Sequence, residues 1–442
     1  MSKKFLLAAL AVILVLPSIA LANGLNLNGL GSRAQGMGGA FVGIANDFSA
    51  VFWNPAGAAG FRKEMFGFYA TDLIPTATYR LPLYNAFASS LPGQGILVAK
   101  TKTSHYLGGL AAYYKPISSK VVVGLGIGTP SGLGTMWDGQ DFTPIPGGTV
   151  YDWSSKVGVV SISPLVAVKL SDVVSVGATF NLNYGMFSLK KPAGTVIVGE
   201  EPGIPIPPGP LDLGQYEENM NGWGFGATFG VLVTPSAKLG FGLTIRTPST
   251  VSFSGTANMP TLSVYHLPGS SDLKRKITWP LGIAGGVSFR PVPRLLLSAD
   301  VHWTQWSKLD RITTDYLESA WETLVEMSGI DIRVFDWKDA TQLRFGAEFT
   351  LNASTVLRAG YYNDPAPGPL ATLNVLRPSH TFNAVSIGIG KTISDLQLDF
   401  GLEYLMGTTR TAVPSLPVIP GAMPGTYGMK IVVPTASVNY KF

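Results

Sequence analysis

Apolar and polar residues alternate along much of the chain with a period of two. Leu396, Leu398, Phe400, Leu402 and Tyr404 fall on one face of an extended segment; Gln397, Asp399, Gly401 and Glu403 fall on the other. The pattern returns in Leu343-Arg344-Phe345-Gly346-Ala347-Glu348-Phe349. It returns again from Leu295 to Trp303, with Ser298, Asp300 and His302 as alternates, and in Leu357, Ala359 and Tyr361 against Arg358, Gly360 and Tyr362. An extended backbone turns successive side chains to opposite faces, so each run predicts a strand with one apolar and one polar face. A soluble sandwich alternates in the same way, and periodicity alone leaves both open.

The connections separate them. Short turns are expected at Pro116-Ile117-Ser118, Ser171-Asp172, Pro235-Ser236-Ala237, Arg290-Pro291-Val292-Pro293, Asn352-Ala353-Ser354 and Ile393-Ser394-Asp395. Between them lie long Pro- and Gly-rich connections, roughly 73–103, 130–150, 191–216, 257–273, 309–335, 365–378 and 410–426. Short and long alternate throughout, as in outer-membrane barrels with tight periplasmic turns and long external loops. The segments number about fourteen, an even count. Several exceed the roughly 9–11 residues that cross a bilayer, so the wall should project beyond it. The last strand places Ala436, Val438, Tyr440 and Phe442 on one face. One external connection differs: residues 314–329 carry Leu317, Trp321, Leu324 and Val325 at helical spacing, a stripe expected to pack on neighbouring loops. The Pro-rich run 201–210 is expected to be extended.

Composition agrees. Charged residues make up 13%, against roughly 25% in soluble domains. Glycine is abundant (52 residues) and aromatics reach 11%, yet after the leader no apolar run approaches a spanning helix. The solution is an all-β transmembrane antiparallel barrel, whose strands are apolar on alternate residues only. Residues 1–22 read as a secretory signal: Lys3 and Lys4, an apolar run from Phe5 to Leu16, and Ala20-Leu21-Ala22 as cleavage site. There is no cysteine, so stability does not rest on disulfides. The net charge of +5 drops to +3 without the leader's two lysines, too mild and scattered for a nucleic-acid partner.

Residues 31–60 follow neither period. GSRAQGMGGAFVGIANDFSAVFWNPAG, which fills most of them, is dense in Gly and Ala and poor in charge. Small residues let backbone pack against backbone, so the stretch reads as a compact insert held within something larger. Asn54-Pro55-Ala56 stops any preceding helix. An ordinary Gly-rich loop has the same composition. Gly31 to Ala40, Asn46-Asp47 and Trp53-Asn54-Pro55-Ala56-Gly57 resemble the N-terminal hatch of the FadL/TodX family. These are outer-membrane transporters of long-chain fatty acids and other hydrophobic molecules.

The resemblance implies a signal peptide at 1–22, a hatch at 23–61 inside the lumen, and a barrel at 62–442. Gly36, Gly38, Gly39, Asn54, Pro55 and Ala56 would form the gate. A second match lies in Val121 to Thr129, where Gly124, Gly126 and Gly128 strip one strand face of side chains before Pro130-Ser131-Gly132-Leu133-Gly134. Gly-x-Gly-x-x-Thr-Pro-x-Gly-Leu followed by Trp137 is similar to the family's third strand, kinked beside the hatch to open the wall sideways. Gly124, Gly126, Gly128, Pro130 and Gly132 would then shape a lateral exit; on residue grounds alone, the glycines simply make room for a plug. Fatty-acid members neutralise the carboxylate with basic lumen residues. At Met186, where one is expected, this chain departs, which favours a neutral hydrocarbon. Arg33, Lys190, Arg344 and Arg358 are the candidates that could substitute, although ion pairing with Glu348, Asp399 and Glu403 is the expected task of Arg344 and Arg358.

The four histidines (105, 266, 302, 380) form no metal-ligand spacing, and no G-x-S-x-G elbow occurs. His302 beside Asp300 reads as polar wall. The expectation is therefore a non-enzymatic, monomeric channel of the bacterial outer membrane without cofactor or metal. Its partners would be a hydrophobic small-molecule ligand and outer-membrane lipids. A general porin or adhesin, or a membrane-embedded lipid hydrolase, are the alternatives.

Overall fold

The computed structural model describes residues 24–83, 95–145, 148–198, 209–328, 331–414 and 419–442. The expected leader and most of the Pro-rich run lie outside the described residues. Among the described residues, fourteen antiparallel strands close into one ring. β1 is Met65–Pro82, and β2 has two pieces, Ile96–Lys100 and Tyr106–Pro116. β3 is Val121–Trp137, β4 Trp153–Lys169, β5 Val174–Pro192 and β6 Gln215–Ser236. Four strands are interrupted once: β7 (Leu239–Arg246, Ser249–Asn258), β8 (Ser270–Trp279, Gly282–Val292), β9 (Leu295–Thr304, Arg311–Tyr316) and β10 (Ile332–Val334, Ala340–Asn352). β11 is Thr355–Asp364, β12 Phe382–Ile393, β13 Leu396–Gly407 with an outlying Arg410–Ala412, and β14 Gly425–Lys441. Each strand pairs with its neighbours in sequence, and β14 returns to β1 from Met65↔Lys441 to Arg80↔Thr426. Closing the sheet on itself removes its edges.

The six short turns fall where the sequence places them. Several strands outrun expectation, β1 and β3 among them: β1 continues to Pro82, paired there with Ile96, and β3 continues to Trp137. Both enter stretches expected as loop. Near its end the outward face of β1 changes to exposed Thr76, Thr78 and Arg80, residues suited to a wall that has left the hydrocarbon. Elsewhere Phe225, Phe229, Phe345, Ile387 and Phe400 point outward and are exposed, whereas Asp300, Arg344, Arg358, Asp399 and Glu403 are buried. This inverts a soluble protein and suits a wall wetted by lipid. Among the described residues no helix is long and apolar enough to cross a membrane.

The external helix covers Ser319–Ser328, preceded by a β9 extension. Trp321 and Leu324 are buried, while Leu317 lies before the helix and is exposed. Residues 24–61 contribute two short helices, α1 (Ser32–Gly36) and α2 (Ala50–Trp53), and a 3-10 turn, Pro55–Gly60. Almost every side chain in this segment is buried against inward-facing positions of the wall.

Candidate transport path

Residues 24–61 bond part of their backbone within the segment, in turns such as Gly39 to Ala34 and Trp53 to Ser49, and the wall supplies further partners. The Asp300 carboxylate on β9 accepts from the Phe41 and Val42 amides, both at 2.8 Å. Ser386 on β12 accepts from the Gly38 amide at 3.1 Å, and Ser288 on β8 donates to the Gly43 carbonyl. Tyr114 on β2 accepts from the Val51 amide and donates to the Phe48 carbonyl; Thr244 on β7 donates to the Trp53 carbonyl. His302 packs its ring edge-on against Trp53 and stands 3.4 Å from Asp300, within this polar wall.

The sequence-marked gate residues occupy the tightest contacts. Asn54 is extended, caps the following turn through the Ala56 amide, and donates to the carbonyls of Val42 and of Val231 on β6. A Cβ at Gly230 would lie 2.1 Å from the Asn54 side-chain oxygen, and one at Gly177 would lie 2.5 Å from the Pro55 carbonyl carbon. Asn54, Pro55 and Ala56 thus sit on two bare spots of β5 and β6. Gly38 and Gly39 have φ of 64° and 69°, a turn that L side chains resist. Gly36 lies against Gly388 and Arg358. Sequence reading missed Gly177 and Gly230; their signal is glycine at an inward position of a strand.

One side of the bore is ionic. Arg33 holds Glu348 with two hydrogen bonds of 2.7 and 3.0 Å and reaches Asn46. Arg358 joins Glu348 at 2.8 Å to Asp399 at 2.7 Å. Burial alone would lower the Arg33 pKa, but Glu348 raises it above its ordinary value. Arg344 bonds Gln342 and the carbonyls of Asn28 and Gly38, with its guanidinium over the rings of Tyr362 and Trp53. These three arginines hold the inner segment in place.

β3 breaks as its glycines and proline suggest. Its ladder with β2 ends at Leu110↔Gly128. Its register with β4 shifts between Gly128 and Ser131. Thr129 bonds Gly109 through its side chain, and past it the β3 edge is met from inside: the Leu27 amide donates to the Pro130 carbonyl at 3.1 Å, and Asn26 bridges to Ser131. Contact with the β2 side resumes only near Trp137, through Thr101 and Lys102. Gly126 leaves space filled by Val51, Gly124 space filled by Tyr114, and Gly132 pairs with Gly158 in the shifted register. Against the break lies an inner cavity of about 160 Å³, bounded by Phe52, Gly126, Gly128, Pro130, Asn181, Asn183 and Arg246.

Above it lies an outer cavity of about 340 Å³. Leu25, Phe187, Leu189, Ile277, Phe335 and Trp337 make it apolar, and Lys191, Arg333 and Arg377 line it as cations. Residues 24–27 run between the two spaces, Leu25 lining the outer one and Asn26 the inner. Arg333 is paired with Glu218 at 2.6 Å. Among the described residues Lys191 and Arg377 have no carboxylate partner; they stack on Tyr216 and Phe335. Burial, with Arg333 nearby, lowers the Arg377 pKa to about 10, so the group stays charged at neutral pH. Lys190 lines neither cavity and pairs with Asp152 and Glu217. Met186 lines neither cavity either. On β5 the inward set is Asn181, Asn183, Phe187, Leu189 and Lys191, so the base that lines the outer cavity is Lys191, next to the candidate Lys190 and five positions beyond Met186.

A closed, lipid-faced strand ring around a buried N-terminal segment defines the class: outer-membrane β-barrel transport proteins. The family model of outer membrane transport proteins, OMPP1/FadL/TodX, matches residues 13–442, and the chain belongs to this family. The long-chain fatty acid transport protein of Salmonella typhi is 23% identical over 92% of this chain and 93% of its own length. That of Escherichia coli O157:H7 is 24% identical over 92% and 94%. Two crystal structures share the fold. A Pseudomonas aeruginosa FadL homologue has a TM-score of 0.75 at 17% identity, covering 95% of this chain and 100% of that one. The Ralstonia pickettii toluene transporter TbuX has a TM-score of 0.68 at 17% identity, covering 94% and 99%. The protein is thus a transport protein of the outer membrane rather than an enzyme.

Proposed function

We propose that the protein acts as a monomer that admits long-chain carboxylates by facilitated diffusion and releases them sideways into the membrane. Residues 1–22 serve as the export leader, 23–61 as the hatch and 62–442 as the barrel. The observation that carries the reading is the interrupted β2–β3 ladder beside an internal cavity. Cargo enters the outer cavity, where its tail meets apolar side chains and its head meets Lys191 and Arg377. Displacement of residues 24–27 and movement of the hatch join the two spaces. Asn54, Pro55 and Ala56 set the hatch against β5 and β6, and Gly124, Gly126, Gly128, Pro130 and Gly132 shape the exit. Each buried CH₂ is worth about 0.8 kcal/mol, so a tail of a dozen carbons gains roughly 10 kcal/mol by staying in apolar surroundings. A straight aqueous descent would forfeit that gain.

Two cations with no carboxylate partner among the described residues favour a carboxylate over a neutral hydrocarbon, because a desolvated charge without a partner is costly and an anionic ligand relieves it. The relatives named for fatty acids and for toluene set the two choices. Deleting Pro130 alone tests the exit: three steps on β3 from Gly128 to Ser131 face two on β4 from Ser161 to Val159, so one residue fewer brings the registers into line. The expected outcome is a normally assembled barrel with labelled-oleate uptake reduced at least about tenfold. Normal uptake of both oleate and toluene by that variant sinks lateral release.

A further inference from the structure

The inner cavity contains a charge that the outer site does not explain. Arg246, at the end of the first β7 piece, lines this cavity. Its guanidinium donates to the Phe52 carbonyl and lies 4.2 Å above the Phe52 ring. Among the described residues no carboxylate pairs with it. Arg33 and Arg358, by contrast, are saturated by Glu348 and Asp399. A guanidinium presents a fork of donors suited to a carboxylate, and leaving it unpaired away from water is unfavourable. Asn181 and Asn183 each already donate one amide N–H, to the Thr228 and Ser249 side chains, and carry no charge, so they are weaker partners for a carboxylate than the guanidinium.

The same cavity has a second, different side. Gly126, Gly128 and Pro130 present little polar side-chain chemistry at the broken β3 edge. One small chamber therefore holds an unpaired cation and a bare exit. We infer that Arg246 is a second, inner station for the carboxylate, holding the head while the tail turns to the break and leaves first. This rests on the transport reading above and adds the orientation of release. Head-first departure would strip the carboxylate of its partner at the edge of the hydrocarbon; tail-first departure keeps the charge bonded until the alkyl chain is already solvated by lipid.

The test compares oleate with methyl oleate, equal tails with and without the charge, in cells carrying the protein. In Arg246→Gln the ratio of oleate to methyl oleate uptake should fall about tenfold, the loss of one charge-assisted bond. An unchanged ratio, whether both rates hold or both fall together, makes Arg246 a staple for Phe52 and overturns the inner station. Failure of the wild type to take up oleate defeats instead the transport reading beneath it. A measurement that needs no variant uses wild-type crystals soaked with a fatty acid brominated at its tail. A bromine peak beside Gly126 to Pro130 is expected, and a peak confined to the outer cavity overturns the proposal.

Discussion

Inward glycines decide where the inner segment can lie, because any Cβ there would occupy its space. Gly230 gives the clearest case, with Asn54 and Pro55 both in its way. Gly230→Val should leave the strands assembled and unseat the hatch, read as new ion conductance in planar bilayers where the parent is silent. His380, in the external loop before β12, gives a pH-dependent case. Burial lowers its pKa from 6.5 to about 4, the Thr408 carbonyl opposing and Arg410 adding to the shift. Between those values an unfolded ring binds a proton that the folded ring refuses, so the loop loses stability as pH falls through that window. The loss is at most about 3 kcal/mol. Hydrogen-exchange protection across residues 365–381, taken relative to the intrinsic exchange rate at each pH, should fall from pH 7 to 4.5, and His380→Phe should remove that fall. Residue roles were the hardest to read from sequence: period two makes Lys190 and Lys191 opposites, and only strand register says which one faces in.

Among elements, β3 was the most legible. Period-two glycine followed by proline has few structural meanings, and a bare face ending in a lost ladder is one of them. Turns were equally plain, since short tight connections carry Pro, Ser, Asp and Asn at fixed places. Strand length was not. β1 continues through residues that resemble loop because its alternation inverts there, with Leu73, Ala77, Tyr79 and Leu81 buried inside and Thr76, Thr78 and Arg80 exposed outside; β3 continues through Gly and Pro that resemble a turn. The external helix was visible from Trp321 and Leu324, but Leu317 belongs to the strand end before it.

The molecule divides its bore by charge. β9 to β13 offer Asp300, Arg344, Glu348, Arg358, Asp399 and Glu403, and these grip the inner segment. β4 to β7 turn mostly Ser, Thr and Asn to the inner cavity, with Arg246 the exception. Deleting residues 24–60 should give a folded barrel with large steady conductance; a silent barrel would mean that the hatch is not what closes the bore. The seam has a further consequence. β1 and β14 come from opposite ends of the chain, so the cylinder is sealed only when the last residues arrive. Residues 24–61 are expected to lie inside by then, since docking later would require them to thread the finished bore from one end. Biogenesis is then expected to be a wrapping event, with the cork in place before the bottle is blown around it.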